Sequence, residues 1–182
     1  MENQKFKIAS AQSNIEWVGR KVTGSHNGTI AVKEGELILN DGKLVGGKFI
    51  IDTTSIEILD VTNPATNAQF AGHLASDDFF STQKYPEATL EITSVTGSHV
   101  YGNLTIKGIT HAISFDAVIN VNTSGDLLVA TAKLIIDRTK YEMKFRSGNF
   151  FKDLGDTLIY NDFELNVSVT AKVAKKTLSV VS

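Results

Sequence analysis

A histidine, two adjacent aspartates and two adjacent phenylalanines crowd into GHLASDDFFSTQKYP, residues 72–86. His73 and Asp77 are four apart and would share one face of a helix, with Asp78 beside them. Such groups can serve as a general acid–base pair or as part of a metal site. No second histidine lies near in sequence, and H-x-x-x-D alone matches no metal motif. The same residues also read as a turn capped by Ser76 or Asp77 that carries Phe79 and Phe80 inward. The capped turn is the stronger reading. A small hydrolase or isomerase using His73 with Asp77 or Asp78 is the alternative.

A second stretch, RTKYEMKFRSGNFFKDLGDTLIY (138–160), interleaves Arg138, Lys140, Lys144, Arg146 and Lys152 with Tyr141, Phe145, Phe150 and Phe151. Basic and aromatic residues together can track phosphates and stack bases, or can flank a cavity whose ligand has a polar or anionic head. A solvated charged loop is the plain alternative. The chain carries 18 basic and 20 acidic residues, net −2, which counts against nucleic acid. There is no G-x-S-x-G elbow, phosphate loop or dinucleotide fingerprint. His26, His99 and His111 stand at turns or strand ends with nothing in the sequence to gather them, so neither a metal nor a cofactor is expected.

The elements that must position these residues are strands. In DFELNVSVTAKV (162–173), Phe163, Leu165, Val167, Val169, Ala171 and Val173 alternate strictly with other residues. AISFDAVINV repeats the pattern with Ile113, Phe115, Ala117, Ile119 and Val121. Turn signals at Lys33-Glu34-Gly35, Asn40-Asp41-Gly42, Gly97-Ser98, Gly108-Ile109-Thr110 and Thr123-Ser124-Gly125 are too short for parallel crossovers. The pattern predicts eight or nine antiparallel strands, roughly 14–20, 25–32, 35–40, 43–58, 87–96, 99–107, 110–122, 126–137 and 161–173. Gly46-Gly47 suggests a bulge of the kind a closing barrel requires. Pro64 opens a helical insertion over about 64–82.

At 182 residues the chain is read as a single domain, 1–182. It has no cysteine, hence no disulfide or thiolate metal site. No apolar run is long enough for a transmembrane helix, and MENQKFKIASAQ is not a signal peptide. A cytoplasmic location follows if the chain is full length, a periplasmic or secreted one if it is a mature form. Strands with one apolar face must pack as a sandwich or close into a barrel. An eight-stranded barrel is wide enough to be filled by side chains or to hold one small ligand. Aliphatic strands with phenylalanines concentrated in the two irregular segments favour the cavity, and a filled barrel acting as an interaction module is the rival.

Several motifs resemble the YceI-like family. GHLASDDFFSTQKYPEATLEITSV is similar to its H-L-x-S-x-D-F-F signature followed by Y-P and a strand. GNLTIKGITHAISFDAVI, LIIDRTKY, IEWVGRKVTGSHNGTI and GGKFIIDTTSI extend the likeness over about residues 14–172. The resemblance implies an all-β, roughly eight-stranded lipocalin-like barrel whose pore holds a polyisoprenoid, an isoprenoid quinone or a fatty-acid derivative. It implies no catalytic residue. Burying a tail of about 40 carbons would be driven by ~0.8 kcal/mol per CH₂ before ordering costs.

The expected site has Phe79, Phe80, Phe145, Phe150 and Phe151 covering or lining the cavity, with Tyr141 beside them. Ile113, Phe115, Phe163, Leu165 and Val167 form the pore face, and Arg138 and Arg146 meet the headgroup. The expected partner is a small apolar lipid, for transport or storage. A homodimer is compatible with the sequence.

Overall fold

The computed structural model describes residues 3–147 and 158–174. Nine strands form one antiparallel sheet: β1 (Asn3–Ile8), β2 (Asn14–Lys21), β3 (Gly24–Asn40), β4 (Lys43–Ile58), β5 (Glu87–Thr96), β6 (His99–Ile106), β7 (Ile109–Val121), β8 (Leu127–Asp137) and β9 (Ile159–Val173). The one α-helix among the described residues, α1 (Pro64–Ala75), joins β4 to β5. Short 3-10 turns cover Ser10–Gln12 and Arg138–Tyr141.

The sheet closes because β3 pairs with both β2 and β4. β1 and β2 both lie between β3 and β9: Phe6 pairs with Leu37 and Val173, and Ile15 pairs with Ile30 and Val167. They are two segments of one wall position, broken by the first 3-10 turn. The result is a lipocalin-like barrel of eight wall positions, and closure leaves no long edge to aggregate.

Two expectations are corrected here. Lys33-Glu34-Gly35 is not a turn; β3 runs through it with a register shift between Val32 and Glu34. Gly35 serves close approach instead, since a Cβ there would stand 2.8 Å from the Lys48 carbonyl oxygen. The helix ends at Ala75 rather than near 82, because Ser76 is extended and the following residues form turns. Asn63 supplies the N-cap through Oδ1, accepting from the Thr66 amide at 3.0 Å, and Pro64 sets the first turn. β4 does slip register beside Gly46: Ile38 pairs with Gly46 but Leu39 pairs with Leu44.

Alternation along each strand directs one set of side chains inward. Those residues form two buried clusters, one around Phe6, Leu39, Leu128 and Val169, the other around Leu104, Leu134, Ile136 and Tyr141. Trp17, Phe49, Phe115 and Leu165 pack against both. Space remains between them.

Candidate ligand cavity and its mouth

A cavity of about 810 Å³ occupies the barrel interior. Its walls are the inward residues of successive strands: Phe115, Ala117 and Ile119 on β7, Ala130, Ala132 and Leu134 on β8, and Phe163, Leu165 and Val167 on β9. Small alanines stand where β7 faces β8, with Ala117 paired to Ala132 and Ile119 to Ala130. Larger side chains at those positions would fill the space, so the hollow is written into residue size as well as alternation.

Helix α1 lies over one end. Thr66, Gln69, Phe70, His73 and Leu74 recur at the spacing of one helix face, and all five line the cavity. Only Leu74 among the helix residues is buried. The start of the helix is tied down by Asn67, whose amide donates to the Ile58 and Val61 carbonyls at 2.9 and 3.0 Å. On the cavity side, Phe70 meets the His26 ring edge-on at 4.8 Å and Trp17 at 6.5 Å. His26 Nδ1 pairs with Asp60 Oδ2 at 2.8 Å, and Asp60 Oδ1 accepts the Asn27 amide at 3.1 Å. Burial acts to raise the Asp60 carboxyl, but the Asn27 amide and the His26 ring outweigh it and hold the group below its ordinary value.

The opposite rim is aromatic. His73 meets Phe79 at 5.0 Å and Phe145 at 4.5 Å, and those two phenylalanines meet each other at 5.9 Å, all edge-to-face. Phe80 approaches Phe163 at 6.5 Å. The Arg146 guanidinium lies 4.9 Å from the Phe145 ring centre. Arg20, Lys21 and Asp162 also border the cavity here, while its deeper wall is aliphatic.

The acid–base candidates separate. His73 Nε2 pairs with Asp78 Oδ2 at 3.0 Å, whereas Asp77 turns away and accepts the Ser81 hydroxyl at 2.6 Å. That hydroxyl, with Lys84 nearby, holds the Asp77 carboxyl below its ordinary value. Among the described residues no hydroxyl is hydrogen-bonded to the His73 imidazole, and no three His, Asp or Glu side chains gather to hold a metal. Ser76 closes α1 and opens the next turn together: its hydroxyl donates to the His73 carbonyl at 2.6 Å, and its own carbonyl accepts the Phe79 amide at 3.0 Å. The turn therefore points Phe79 into the buried core and places Phe80 on the cavity wall.

Arg138 touches the cavity, but its guanidinium is turned to the backbone. It is 4% exposed and donates to the Tyr160, Met143 and Ile159 carbonyls at 3.0, 2.5 and 3.1 Å. Burial pushes its pKa down to about 10, opposed by the Asp137 carboxylate, so it stays charged at neutral pH. The Ile159 amide donates to the Arg146 carbonyl at 2.8 Å, and Ser147 Oγ to Asn161 Oδ1 at 2.5 Å, which fixes the chain on both sides of 148–157. Lys107 Nζ donates to the Asp77 and Glu142 carbonyls, tying the Phe79 turn to the turn after β8.

Of the expected site residues, Phe79, Phe80, Phe115, Arg138, Phe145, Arg146, Phe163, Leu165 and Val167 border the cavity. Ile113 and Tyr141 pack in the core beside it instead. Tyr141 is buried with its ring edge-on to His111 at 5.2 Å, and burial pushes its hydroxyl up to about 12. Phe150 and Phe151 lie outside the described residues. Trp17 and Phe70 are not among the expected site residues, and His26, expected to stand apart at a strand end, borders the cavity and meets Phe70. The signal for Phe70 was present in its spacing from Thr66, His73 and Leu74, but with so many polar neighbours it did not stand out.

The UPF0312 protein of Staphylococcus aureus is 28% identical over 184 residues, covering 93% of this chain and 98% of that protein. BcnA of Burkholderia cenocepacia superposes with a TM-score of 0.67 at 20% identity, over 88% of this chain and 96% of the other. A polyisoprenoid binding domain from Saccharophagus degradans gives 0.66 at 14% identity, over 93% and 98%. At these identities the two structures establish the shared barrel. The YceI-like domain profile matches residues 6–171, nearly the whole described barrel, and the chain belongs to the YceI-like family.

Proposed function

We propose that the barrel binds a long-chain apolar amphiphile, a polyisoprenoid, isoprenoid quinone or fatty-acid derivative, for transport or storage and without chemistry of its own. The observation that carries this reading is an apolar cavity of about 810 Å³ whose bordering cations, Lys21, Arg138 and Arg146 among them, stand where β2 ends and β9 begins. The tail occupies the space between Phe115, Phe163, Leu165 and Val167, and Phe79, Phe80 and Phe145 form a collar around its upper end. Arg146 and Lys21 meet the headgroup, while the Arg20 guanidinium is held by Glu164 Oε1 at 2.8 Å. Arg138 acts by fixing the rim, with Ile113 and Tyr141 supporting the wall from behind. The polyisoprenoid binding domain of Saccharophagus degradans, with the same fold, supports the ligand class. Apolar burial of ~0.8 kcal/mol per CH₂, less ordering costs, supplies the affinity. The His73–Asp78 pair is a strut between aromatic rings, with no hydroxyl nucleophile bonded to it.

Titration of solvent-stripped protein with a fluorescent fatty-acid analogue tests this. Saturable binding, displaced by an isoprenoid quinone and retained in His73→Ala, is expected. Absence of binding, or a turnover that His73→Ala abolishes, contradicts it.

A further inference from the structure

Two inward positions on adjacent strands carry glycine, and only one of them is filled. Gly28 of β3 pairs with Trp17 of β2, and a Cβ there would stand 2.6 Å from the indole. The ring has taken that space. Gly19 is the next inward position of β2 after Trp17. It pairs with His26 on β3 and Phe163 on β9, and directly paired residues of antiparallel strands project to the same side. Gly19, His26 and Phe163 all border the cavity. Yet a Cβ built on Gly19 meets nothing within 4 Å among the described residues.

Gly19 therefore opens a lateral notch in the wall, between the His26 and Phe163 side chains and next to Trp17. Phe70 of α1 stands on its His26 side, 4.8 Å from that ring and 6.5 Å from the indole. Phe80 stands beside Phe163 at 6.5 Å. Lys21, the next inward position along β2, borders the cavity as well. The backbone widens the same place: from the pair Gly19–Phe163 to the pair Lys21–Ile159, β9 advances four residues where β2 advances two.

A straight chain running along the barrel leaves such a notch unfilled, and a void forfeits the contacts its walls could make. A flat ring fills it, because aromatic neighbours receive a ring edge-on or offset. An oxygen on that ring can accept a hydrogen bond from the Lys21 ammonium. We propose that Gly19 is a specificity-determining residue whose missing side chain seats the head of the ligand. The class it selects is an amphiphile with a flat ring bearing acceptor oxygens as its head, over one with a straight-chain head. This rests on the lipid-binding reading above.

Farnesylated benzoquinone and farnesol share a tail and differ in the head. The test offers them together to solvent-stripped protein and reads the bound ratio by native mass spectrometry. The wild type is expected to favour the quinone. Gly19→Leu should lower the quinone-to-farnesol ratio about tenfold or more while still taking up farnesol, since tenfold corresponds to the burial of only about two CH₂ groups. Should the Leu variant not fold, as circular dichroism shows, the ratio in Gly19→Val decides. The Gly19 φ lies outside the left-handed region, so Gly19→Ala should melt at or above the wild-type Tm. A wild type without preference for the quinone, or a wild-type ratio in a folded Leu or Val variant, overturns the assignment of Gly19. So does an Ala variant that melts well below the wild type, because the position is then not open. Failure of the wild type to take up quinone, farnesol or a fatty-acid analogue is a different result, and overturns the lipid-binding reading itself.

Discussion

Replacing Arg138 with Met tests how the rim of the barrel is held. The guanidinium satisfies three backbone carbonyls, Met143 on one side of 148–157 and Ile159 and Tyr160 on the other. Met matches the length and apolar stem but supplies no donor. Each buried carbonyl left without its partner costs about 1–3 kcal/mol. Partial rehydration at the rim lowers the sum, and the contact with Phe79 at 5.8 Å is lost too. A destabilisation of about 3–5 kcal/mol is expected, since removing a hydrogen-bonded buried group ranks among the large single-site effects. For a chain of this size each kcal/mol moves Tm by about 2–4 °C, so Tm should fall by about 6–20 °C. Arg138→Lys keeps the charge, but one ammonium lacks the planar fork that spans three acceptors, so it should recover only part of the loss. Thermal and urea unfolding by circular dichroism give both numbers. A Met variant within about 0.5 kcal/mol of wild type would refute the reasoning and return Arg138 to the headgroup.

Three further outcomes follow from other parts of the barrel. Ala130→Phe places a ring in open cavity space, so stability should change by less than about 1 kcal/mol while uptake of a fluorescent fatty-acid analogue falls sharply; unchanged uptake contradicts the cavity as the site. Gly28→Ala would drive a Cβ into the Glu57 carbonyl oxygen and the Trp17 ring, and a loss of about 3 kcal/mol or of soluble yield is expected from urea unfolding. The depressed Asp60 carboxyl contributes stability above its unfolded pKa and loses it as pH falls through its lower folded value. Melts of wild type and Asp60→Asn should therefore differ at neutral pH and converge below the ordinary aspartate value of 3.8; curves that stay parallel through that range count against the His26–Asp60 contact.

The strands with sustained period-2 alternation were legible, β7 and β9 above all, because one buried face imposes that period directly. β1 was not. NQKFKI has only Phe6 and Ile8 as its inward pair, too short a signal beside the polar start of the chain. Glycine misled in one place: Gly35 looks like a turn residue, but the tertiary contact with Lys48 determines its role. The helix start was readable from Pro64, while its end depended on Ser76 bonding back to His73. For the site, Phe79, Phe80 and Phe145 could be placed beside the cavity because they lie in irregular segments, while Phe150 and Phe151 lie outside the described residues. Nothing local distinguished Arg146, which lies over a ring, from Arg138, which binds three carbonyls. That difference arises from the chain returning at Ile159 and Tyr160, which the residues around Arg138 do not encode. Similarly, the His26–Asp60 pair joins β3 to the segment after β4, a contact across 34 positions.

Native mass spectrometry of the protein as purified from cells, before and after solvent extraction, tests the central claim most directly. The expected result is one apolar molecule per chain whose added mass disappears on extraction and reappears when the extract is returned. A protein that is consistently empty, and that also rejects isoprenoid quinone and fatty-acid analogues, would contradict it.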